Sequence, residues 1–521
     1  MKKIISLLSA SIVASPIIAS SVSEGESSQS IDINTDSRPN IVLIYADDIG
    51  YGDLSSYGAR RVETPNTDSL AAKGVRFTNA HSAAATSTPS RYGLFTGEYP
   101  WRRKGTGVAA GDAALIIKPE RITLPKLLRQ AGYTTGAVGK WHLGMGEETG
   151  KQDWNRHVTP GPSEIGFDYS YIMAATGDRV PCVFMENQRV VNLDPNDPIS
   201  VSYKENFEGE PTGKDNPELL TKLHPSHGHD QSIVNGISRI GYMKGGKSAL
   251  WEDENIADSI TVHAVRFIER NSDKRFFLYF GTNDIHVPRY PHERFRGATE
   301  MGHRGDAIVQ FDWSVGEIVK ALKKAGIFEN TLIIITSDNG PVVDDGYQDG
   351  AVERLMDHKP WGPFRGGKYS TFEAGTRVPF IVHWPERVDS KVSPALVSQI
   401  DMTATMTALA GLDRSPEIPE DSQNQLDAWL GMELSGRDYV IGSAGSLTVL
   451  TRDWKYIEPN NGRVYNPLTN TELGNSRDDQ LYNMVTDRGE YDNLAAENPQ
   501  RLEIMKLILE REKEKGIGLD L

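Results

Sequence analysis

In two segments far apart in the chain, a continuous apolar stretch is followed closely by a pair of oxygen-bearing side chains. The run IVLIY is followed by Asp47 and Asp48, and the run LIIIT is followed by Asp338 and Asn339. Uninterrupted apolar runs of this kind are typical of parallel strands that are covered on both faces. Open α/β sheets carry their functional sites at the carboxyl ends of such strands. The pattern predicts an α/β fold in which the four side chains share one sheet edge.

Carboxylate and amide oxygens indicate which metal such an edge would bind. Hard oxygen donors favour Ca²⁺, with Mg²⁺ as the second choice, over the nitrogen and sulfur ligands that are typical of zinc. Each pair taken alone could instead stabilise a turn or cap a helix. The occurrence of two pairs at two strand ends favours the metal-site interpretation.

The stretch TSTPSRYGLFTG between these pairs is typical of the start of a helix. Ser87 or Thr88 can cap it, Pro89 suits its first turn and Gly97 can end it. Capping could be the whole role of this serine. A helix that begins here would also direct its N–H groups and the positive end of its dipole towards an anion.

The chain alternates predicted strands and helices from residue 38 to about residue 425, which indicates a mainly parallel sheet flanked by helices. A polar, loop-rich segment at about 174–246 resembles an insertion. Residues 426–521 change character, with short predicted antiparallel strands and a terminal amphipathic helix in NPQRLEIMKLILEREKEK. We therefore expect a catalytic α/β domain over 38–425 and a smaller C-terminal α+β subdomain over 426–521.

The first 21 residues have the basic, apolar and small-residue layout of a secretory signal peptide. The apolar run is interrupted by Pro16 and is shorter than the roughly 20 residues that a spanning helix needs. We predict export to the periplasm or outside the cell, without stable membrane insertion. The single cysteine, Cys182, excludes an internal disulfide.

The net charge of −15 argues against nucleic acid as a partner, because nucleic-acid binding needs a broad basic face. An anionic substrate must therefore be held by a local group of cations. The motifs supply such a group in or beside predicted loops: Arg91, Lys140, His142, His286 and Lys368.

The motif STPSR, followed after three residues by FTG, resembles the sulfatase pattern of cysteine or serine, any residue, Pro-Ser-Arg, three residues and Leu-Thr-Gly. Phe95 in the leucine position is the one departure, and it is a conservative packing change. The resemblance covers nearly all of residues 38–500. Further blocks match in order: ADDIGYGDL, GEYPWR, GYTTGAVGKWHLG, IHVP, TSDNG, FRGGKYSTFEAGTRVPFIVHWP and LYNMVTDRGEYDNLA.

The resemblance implies an alkaline-phosphatase-like α/β sandwich and a sulfuric ester hydrolase. In sulfatases the cysteine or serine is oxidised to formylglycine, whose hydrate attacks the sulfur of a sulfate ester, so Ser87 would be a precursor. Because the residue is serine, a serine-type formylglycine-generating maturase is the implied partner. The metal ligands implied for Ca²⁺ are Asp47, Asp48, Asp338 and Asn339.

The same resemblance assigns roles to the cationic group. Arg91 would hold the formylglycine, and Lys140 and Lys368 would bind sulfate oxygens. His286, with Lys368, would protonate the leaving sugar oxygen, whereas His142 would remove a proton from the hydrate when sulfate is released.

Two alternatives remain open: a phosphatase or phosphodiesterase of the wider alkaline phosphatase superfamily, and a non-catalytic glycan-binding relative. For a sulfatase, the segment GDRVPCVFMENQRVVNL resembles enzymes that act on sulfated galactose or N-acetylgalactosamine of mucin, glycosaminoglycan or algal glycans. The sulfated saccharide would be attacked from its end. Candidate sugar-binding residues are Asp178, Arg179, His227, His229 and Arg289.

Overall fold

The structure is a computed structural model that describes residues 38–521. The predicted signal peptide lies outside the described residues. Across residues 38–521, none of the helices is both long and apolar enough to cross a membrane.

Strands and helices alternate through most of the described chain. The strands are β1 (Asn40–Ala46), β2 (Val75–His81), β3 (Thr134–Lys140), β4 (Tyr169–Met173), β5 (Phe184–Glu186), β6 (Arg189–Val190), β7 (Ser200–Ser202), β8 (Ile233–Val234), β9 (Ile237–Ser238), β10 (Tyr242–Lys244), β11 (Phe276–Gly281), β12 (Thr331–Ser337), β13 (Phe380–His383), β14 (Lys391–Ser398), β15 (Val440–Ser443), β16 (Leu447–Leu450), β17 (Trp454–Ile457), β18 (Tyr465–Asn466), β19 (Thr471–Glu472) and β20 (Gln480–Asn483). The α-helices are α1 (Pro65–Ala72), α2 (Ser87–Thr96), α3 (Leu124–Gln130), α4 (Ile256–Arg270), α5 (His303–Lys324), α6 (Met402–Leu409), α7 (Leu426–Trp429) and α8 (Pro499–Glu514).

A ten-stranded sheet in the order β14-β2-β13-β12-β1-β11-β3-β4-β5-β6 forms the centre of the molecule. Its middle run, from β12 to β4, is entirely parallel, whereas β13 and the β5–β6 edge are antiparallel. Every residue of β1, β11 and β12 is buried, as the continuous apolar runs predict. The predicted mainly parallel α/β sheet is confirmed.

The register of the two central strands brings the oxygen-bearing pairs together. β1 and β12 are parallel neighbours, with Ala46 opposite Ser337 at their carboxyl ends. The residues that follow, Asp47 and Asp338, therefore leave the same sheet edge side by side. This strand pairing brings together residues that lie 290 positions apart in the sequence, such as Asp48 and Asp338.

Helices pack against both faces of the sheet. α5 contacts both α1 and α4 in one group, and α2, α3 and α6 contact one another in a second, with β3 in contact with both α3 and α4. The apolar spacing GDAIVQFDWSVGEIVKALKKAG predicts packing of α5, whose residues Ile308, Phe311, Val315 and Ile318 are all buried. Among these helices, α2 carries Ser87 in its first turn.

A four-stranded antiparallel sheet, β15-β16-β17-β20, follows in the C-terminal part of the chain, with α8 packed on β16 and β17. This agrees with the smaller antiparallel sheet that was expected there. The polar segment at 174–246 contains short strands, and two of them, β5 and β6, extend the main sheet rather than standing apart from it.

Candidate active site

Four buried oxygen-bearing residues cluster at the carboxyl ends of β1 and β12. The backbone N–H of Asp48 donates to Asp338 Oδ1 at 3.2 Å, and Nδ2 of Asn339 donates to Asp48 Oδ1 at 2.7 Å. Lys140 Nζ lies 2.6 Å from Asp47 Oδ1. All four residues that the sequence predicts as metal ligands meet at this edge.

The donor set fits a hard divalent cation. Asp47, Asp48 and His286 offer ligand atoms that all lie within 4.8 Å of one another. Asn339 Oδ1 is buried and has no hydrogen-bond partner within residues 38–521, which is costly for an amide oxygen unless a ligand satisfies it. Three carboxylates and an unpartnered amide oxygen suit Ca²⁺ or Mg²⁺.

Ser87 occupies the first turn of α2, whose residues are all buried. The N-cap is Thr86, which makes no side-chain capping bond, and Thr88 Oγ1 instead accepts from the N–H of Ala109. The expectation that Ser87 or Thr88 caps this helix is wrong, because both hydroxyls face tertiary partners. Gly97, with φ of 70°, ends the helix as predicted.

The Ser87 hydroxyl is held between a cation and an imidazole. Arg91 Nε donates to Ser87 Oγ at 2.9 Å, and another guanidinium nitrogen donates to Asp338 Oδ2 at 2.8 Å. Burial acts to raise the pKa of Asp338, but Arg91 and Lys140 hold that pKa well below its usual range. Arg91 therefore connects the serine to the oxygen cluster.

His142 contacts the same hydroxyl in a defined tautomer. Its Nε2 lies 3.0 Å from the carbonyl oxygen of Ala109, and its Nδ1 lies 3.3 Å from Ser87 Oγ. A carbonyl oxygen can only accept, so Nε2 carries the proton and Nδ1 of the neutral ring is an acceptor. Burial, together with the charges of Lys140 and Arg179, lowers the pKa of His142 well below its usual value. The ring is therefore neutral and presents a basic nitrogen to Ser87.

Two buried lysines flank the cluster on different carboxylates. Burial lowers the pKa of Lys140, although Asp47 opposes this shift. Lys368 donates to Asp48 Oδ2 and to Asp345 Oδ2, both at 2.9 Å. Burial acts to lower the pKa of Lys368, but these two carboxylates raise it well above its usual value. Of the two lysines, Lys368 is therefore the one held firmly in its protonated form.

His286 is fixed through one of its ring nitrogens. Nδ1 lies 2.7 Å from the carbonyl oxygen of Val287 and must donate to it, which leaves Nε2 at 3.9 Å from Asp48 Oδ2. Burial, with Lys368 and Lys140 nearby, lowers the pKa of His286 to about 4. The neutral ring thus offers Nε2 to the site.

A cavity of about 240 Å³, here called the catalytic cavity, opens onto these groups. Besides Ser87 it is lined by three of the predicted sugar-binding residues, which form one hydrogen-bonded group. His229 Nε2 lies 2.9 Å from Asp178 Oδ2, and Arg179 lies 3.0 Å from Asp178 Oδ1. The full lining is Ser87, Val108, His142, Asp178, Arg179, His229, Ile240, His286, Asp345, Lys368 and Tyr369.

The other two predicted sugar-binding residues do not line this cavity. His227 lies beside it, with Nδ1 3.9 Å from Asp344 Oδ1 and its ring centroid 6.3 Å from that of His229. Arg289 is buried, and its three guanidinium nitrogens donate to Asp349 and to backbone carbonyls. Arg289 is therefore committed to holding loops together and is not available to a sugar.

The motifs did not single out Asp345 and Tyr369, although both line the catalytic cavity. Asp345 accepts from Lys368 at 2.9 Å and from the hydroxyl of Tyr369 at 3.0 Å. The signal that could have found Asp345 is the acidic pair in NGPVVDDG, five residues beyond the ligand pair. Tyr369 directly follows the lysine in FRGGKYS.

The match to a family model decides what kind of site this is. The model of the family described as Sulfatase matches residues 39–412, which include every residue of the catalytic cavity and the oxygen cluster. The chain belongs to the sulfatase family. It is therefore a sulfuric ester hydrolase, and both the resemblance and the enzyme class that the motifs imply are confirmed.

Relatives within the sulfatase family extend over most of the chain. The chain is 51% identical over 478 residues to an N-acetylgalactosamine-6-O-sulfatase of Bacteroides thetaiotaomicron, covering 91% of this chain and 93% of that protein. It is 31% identical over 410 residues to the human N-acetylgalactosamine-6-sulfatase, covering 77% of this chain and 67% of the human protein.

Solved structures with a similar fold cover most of the chain. One, from a study of glycosaminoglycan metabolism by Bacteroides thetaiotaomicron, superposes with a TM-score of 0.90 at 51% identity and covers 92% of this chain and 100% of that one. Another, solved in complex with a neocarrahexaose, has a TM-score of 0.67 at 26% identity and covers 91% and 92% of the two chains.

Proposed function

We propose that this sulfatase removes the 6-O-sulfate from terminal N-acetylgalactosamine or galactose of a sulfated glycan, by means of a formylglycine made from Ser87. The observation that carries the proposal is the catalytic cavity, where the Ser87 hydroxyl and the Asp178–Arg179–His229 group open onto one space. The 51% identity to an N-acetylgalactosamine-6-O-sulfatase supports the choice of sugar and position.

Two groups would complete the site. A divalent cation held by Asp47, Asp48, Asp338 and Asn339 supplies positive charge that favours deprotonation of a bound hydroxyl and offsets charge on sulfate oxygens. A formylglycine at position 87 supplies, in its hydrated form, two hydroxyls on one carbon, one for attack and one for release of sulfate.

The chain's own residues supply the binding and the proton transfers. The Arg91 guanidinium, 2.9 Å from Ser87 Oγ, fixes the nucleophile relative to Asp338. Lys140 and Lys368 present ammonium groups to the sulfate oxygens, where charge develops as sulfur is transferred.

Two histidines act on opposite sides of the reaction. His142 accepts a proton from the hydroxyl at position 87 through Nδ1, since its Nε2–H is already donated to Ala109. The protonated Lys368 supplies a proton to the sugar oxygen that leaves, and His286 shares this role when its Nε2, unprotonated in the neutral ring, takes up a proton. Separate residues thus serve as base and acid.

The sugar-binding proposal rests on charge and hydrogen-bonding capacity in the catalytic cavity. Burial acts to raise the pKa of Asp178, but Arg179, His286 and His229 hold it well below its usual value. An ionised carboxylate beside a guanidinium offers both an acceptor and donors to neighbouring hydroxyls of one sugar. Such a pair suits vicinal or axial hydroxyls of a galacto-configured ring.

Cellular context forms part of the proposal. Residues 1–21 would direct export, and the serine at position 87 would require a serine-type maturase before the enzyme becomes active. Ca²⁺ is the expected metal because the ligands are hard oxygens, with Mg²⁺ the alternative. We retain 38–425 as the catalytic domain and 426–521 as its smaller companion.

Sulfate release from defined saccharides tests the proposal. The protein is co-produced with a serine-type maturase and offered galactose, N-acetylgalactosamine and glucosamine saccharides sulfated at single known hydroxyls, with Ser87→Ala as control. Release confined to the 6-O-sulfated galacto sugars, and absent in the control, is expected. A preference for glucosamine sulfates, with peptide mass showing Ser87 two hydrogens lighter, would contradict the proposed sugar.

A further inference from the structure

A second cavity of about 260 Å³ lies between residues 341–366 and the β18–β19 hairpin with its neighbour Tyr491. We propose that this second cavity binds an uncharged sugar residue of the same glycan chain whose terminal sulfate occupies the catalytic cavity. The inference rests on the proposed function and extends it from a single sugar to an oligosaccharide.

The two cavities are lined by neighbouring residues of the same two segments. Val342 and Asp344 line the second cavity, whereas the next residue, Asp345, lines the catalytic cavity. In the same way Arg365 lines the second cavity and Lys368 the catalytic one. These two short segments are joined by a hydrogen bond of 2.9 Å from the Lys368 N–H to the Pro341 carbonyl. The two cavities therefore lie on adjacent parts of these segments, as a bound oligosaccharide would require.

Aromatic faces line the second cavity. Tyr491 is 74% exposed, the highest value among the large hydrophobic side chains of residues 38–521, and its ring centroid lies 5.0 Å from the Arg365 guanidinium carbon. Trp361 is half-buried beside it. Ligand sites combine apolar and aromatic faces with a few fixed polar groups. The C–H face of a sugar ring fits this arrangement.

Polar atoms with unused hydrogen-bonding capacity complete the lining. Thr469 is 6% exposed, and its Oγ1 is buried without a hydrogen-bond partner among residues 38–521. Such a hydroxyl is expensive to leave unsatisfied. Asp344 accepts from Ser226 Oγ at 3.0 Å through Oδ1, which leaves Oδ2 to accept from a sugar hydroxyl. Both groups can therefore bond to a ligand.

The charges of the lining select the class of sugar. Arg365 is paired with Glu472 through two bonds, from Nε at 2.8 Å and from a terminal nitrogen at 2.6 Å, so their charges cancel. Asp344 is the remaining charged residue of the lining and is negative. A sulfate or uronate here would be repelled. The geometry therefore points to a neutral hexose or N-acetylhexosamine.

Kinetics on short and long substrates test the inference. Trp361→Ala and Tyr491→Ala are compared with the unchanged enzyme on a 6-O-sulfated monosaccharide and on a hexasaccharide with the same terminal sugar. The ratio of kcat/KM for the hexasaccharide to that for the monosaccharide should fall about three- to tenfold, through KM, because a stacking contact is lost. An unchanged ratio would overturn the inference.

Two matched variants isolate the contact. Tyr491→Phe keeps the ring and should keep the ratio, and Val485→Ser changes a residue that is 62% exposed and does not line the cavity. A fall in the ratio for Val485→Ser equal to that for Tyr491→Ala would contradict a specific sugar contact.

Direct binding separates failure of the inference from failure of the proposed function. Ser87→Ala protein is titrated with an unsulfated hexasaccharide of alternating galactose and N-acetylglucosamine, and with one of alternating uronate and N-acetylgalactosamine. Binding of the neutral chain, weakened in the Trp361→Ala background, is expected whatever the sulfate position cleaved. No binding of the neutral chain, or equal binding of the uronate chain, would overturn the inference.

Discussion

Ser87 and Arg91 lie one turn apart on α2, and Arg91 Nε donates a 2.9 Å hydrogen bond to the Ser87 hydroxyl. The same guanidinium reaches Asp338 Oδ2 at 2.8 Å. A planar fork can serve both acceptors at once, whereas a single ammonium cannot. One side chain therefore bridges Ser87 and the oxygen cluster.

Replacement of Arg91 tests this coupling. Arg91→Lys keeps the charge but loses the fork, and we expect kcat/KM to fall about 100-fold or more while the protein stays folded. Arg91→Ala leaves buried carboxylates unpaired and should cost about 3–5 kcal/mol of unfolding free energy. Sulfate release and urea denaturation measure the two effects. Full activity in Arg91→Lys would show that charge alone is sufficient.

Removal of divalent metal should lower both activity and stability. Asp47, Asp48 and Asp338 are fully buried at one sheet edge, so an ion that binds only the folded protein stabilises it by about 2.7 kcal/mol at 100 times its dissociation constant. Thermal unfolding with chelator, then with added Ca²⁺ or Mg²⁺, measures the shift. Asp338→Asn should show a much smaller shift, and an equal shift in that variant would place the ion elsewhere.

As the pH is lowered, kcat should begin to fall only below the pH range in which histidines usually titrate. A histidine base fails when it becomes protonated, and the pKa of His142 is held well below its ordinary value by burial. Activity should therefore be retained as the pH falls from 8 to 6. His142→Gln should lower kcat about 100- to 10,000-fold with little change in KM. An acid limb centred near pH 6.5 that disappears in His142→Gln would contradict this prediction.

The sugar-binding group should affect substrate affinity more than turnover. His229 Nε2 and Arg179 both bond to Asp178. Asp178→Asn removes the negative charge of this acceptor, so both His229 and Arg179 are held less firmly. We expect KM for the 6-O-sulfated galacto sugar to rise about 10- to 100-fold, the cost of one or two charge-assisted hydrogen bonds. Arg289→Gln serves as the comparison, because it should lower the melting temperature without that selective change in KM.

Stability should fall as the pH rises through the pKa of Asp284. Burial raises this pKa to about 7, although Gln310 donates to both carboxylate oxygens. The folded protein then binds more protons than the unfolded chain between about pH 4 and 7, so its unfolding free energy declines over that window and levels off above it. Denaturation of the protein and of Asp284→Asn at pH 5 and pH 8 measures this. The variant should lack most of the decline, and an identical decline would assign it to other groups.

Much of the architecture could be predicted because it depends on local patterns. Continuous apolar runs predicted β1 and β12, and the residues after them predicted which side chains would meet. Strand order could not be read in the same way, since the antiparallel β13 and the β5–β6 extension depend on packing between distant segments. The apparent insertion was polar enough to hide two strands of the main sheet.

In the site as well, the residues within motifs could be predicted from the sequence, whereas the contacts between distant segments could not. Asp178 and His229 are 51 residues apart, and their pairing is visible only in the folded chain. Asp345 was not predicted as a site residue, because an acidic residue in a glycine-containing loop is usually exposed to solvent. Arg289 lies three residues after His286, yet its guanidinium bonds to Asp349 and to backbone carbonyls and does not face the catalytic cavity. The motifs thus pointed to catalytic candidates that meet in space, whereas two of the five sugar-binding candidates lie outside the catalytic cavity.

Burial of α2 has a consequence for how this sulfatase is made. Ser87 is 3% exposed, and every residue of its helix is buried. If Ser87 is oxidised as proposed, the maturase would have to act on the chain before α2 is packed into the fold. The order of modification and folding would then decide how many molecules become active.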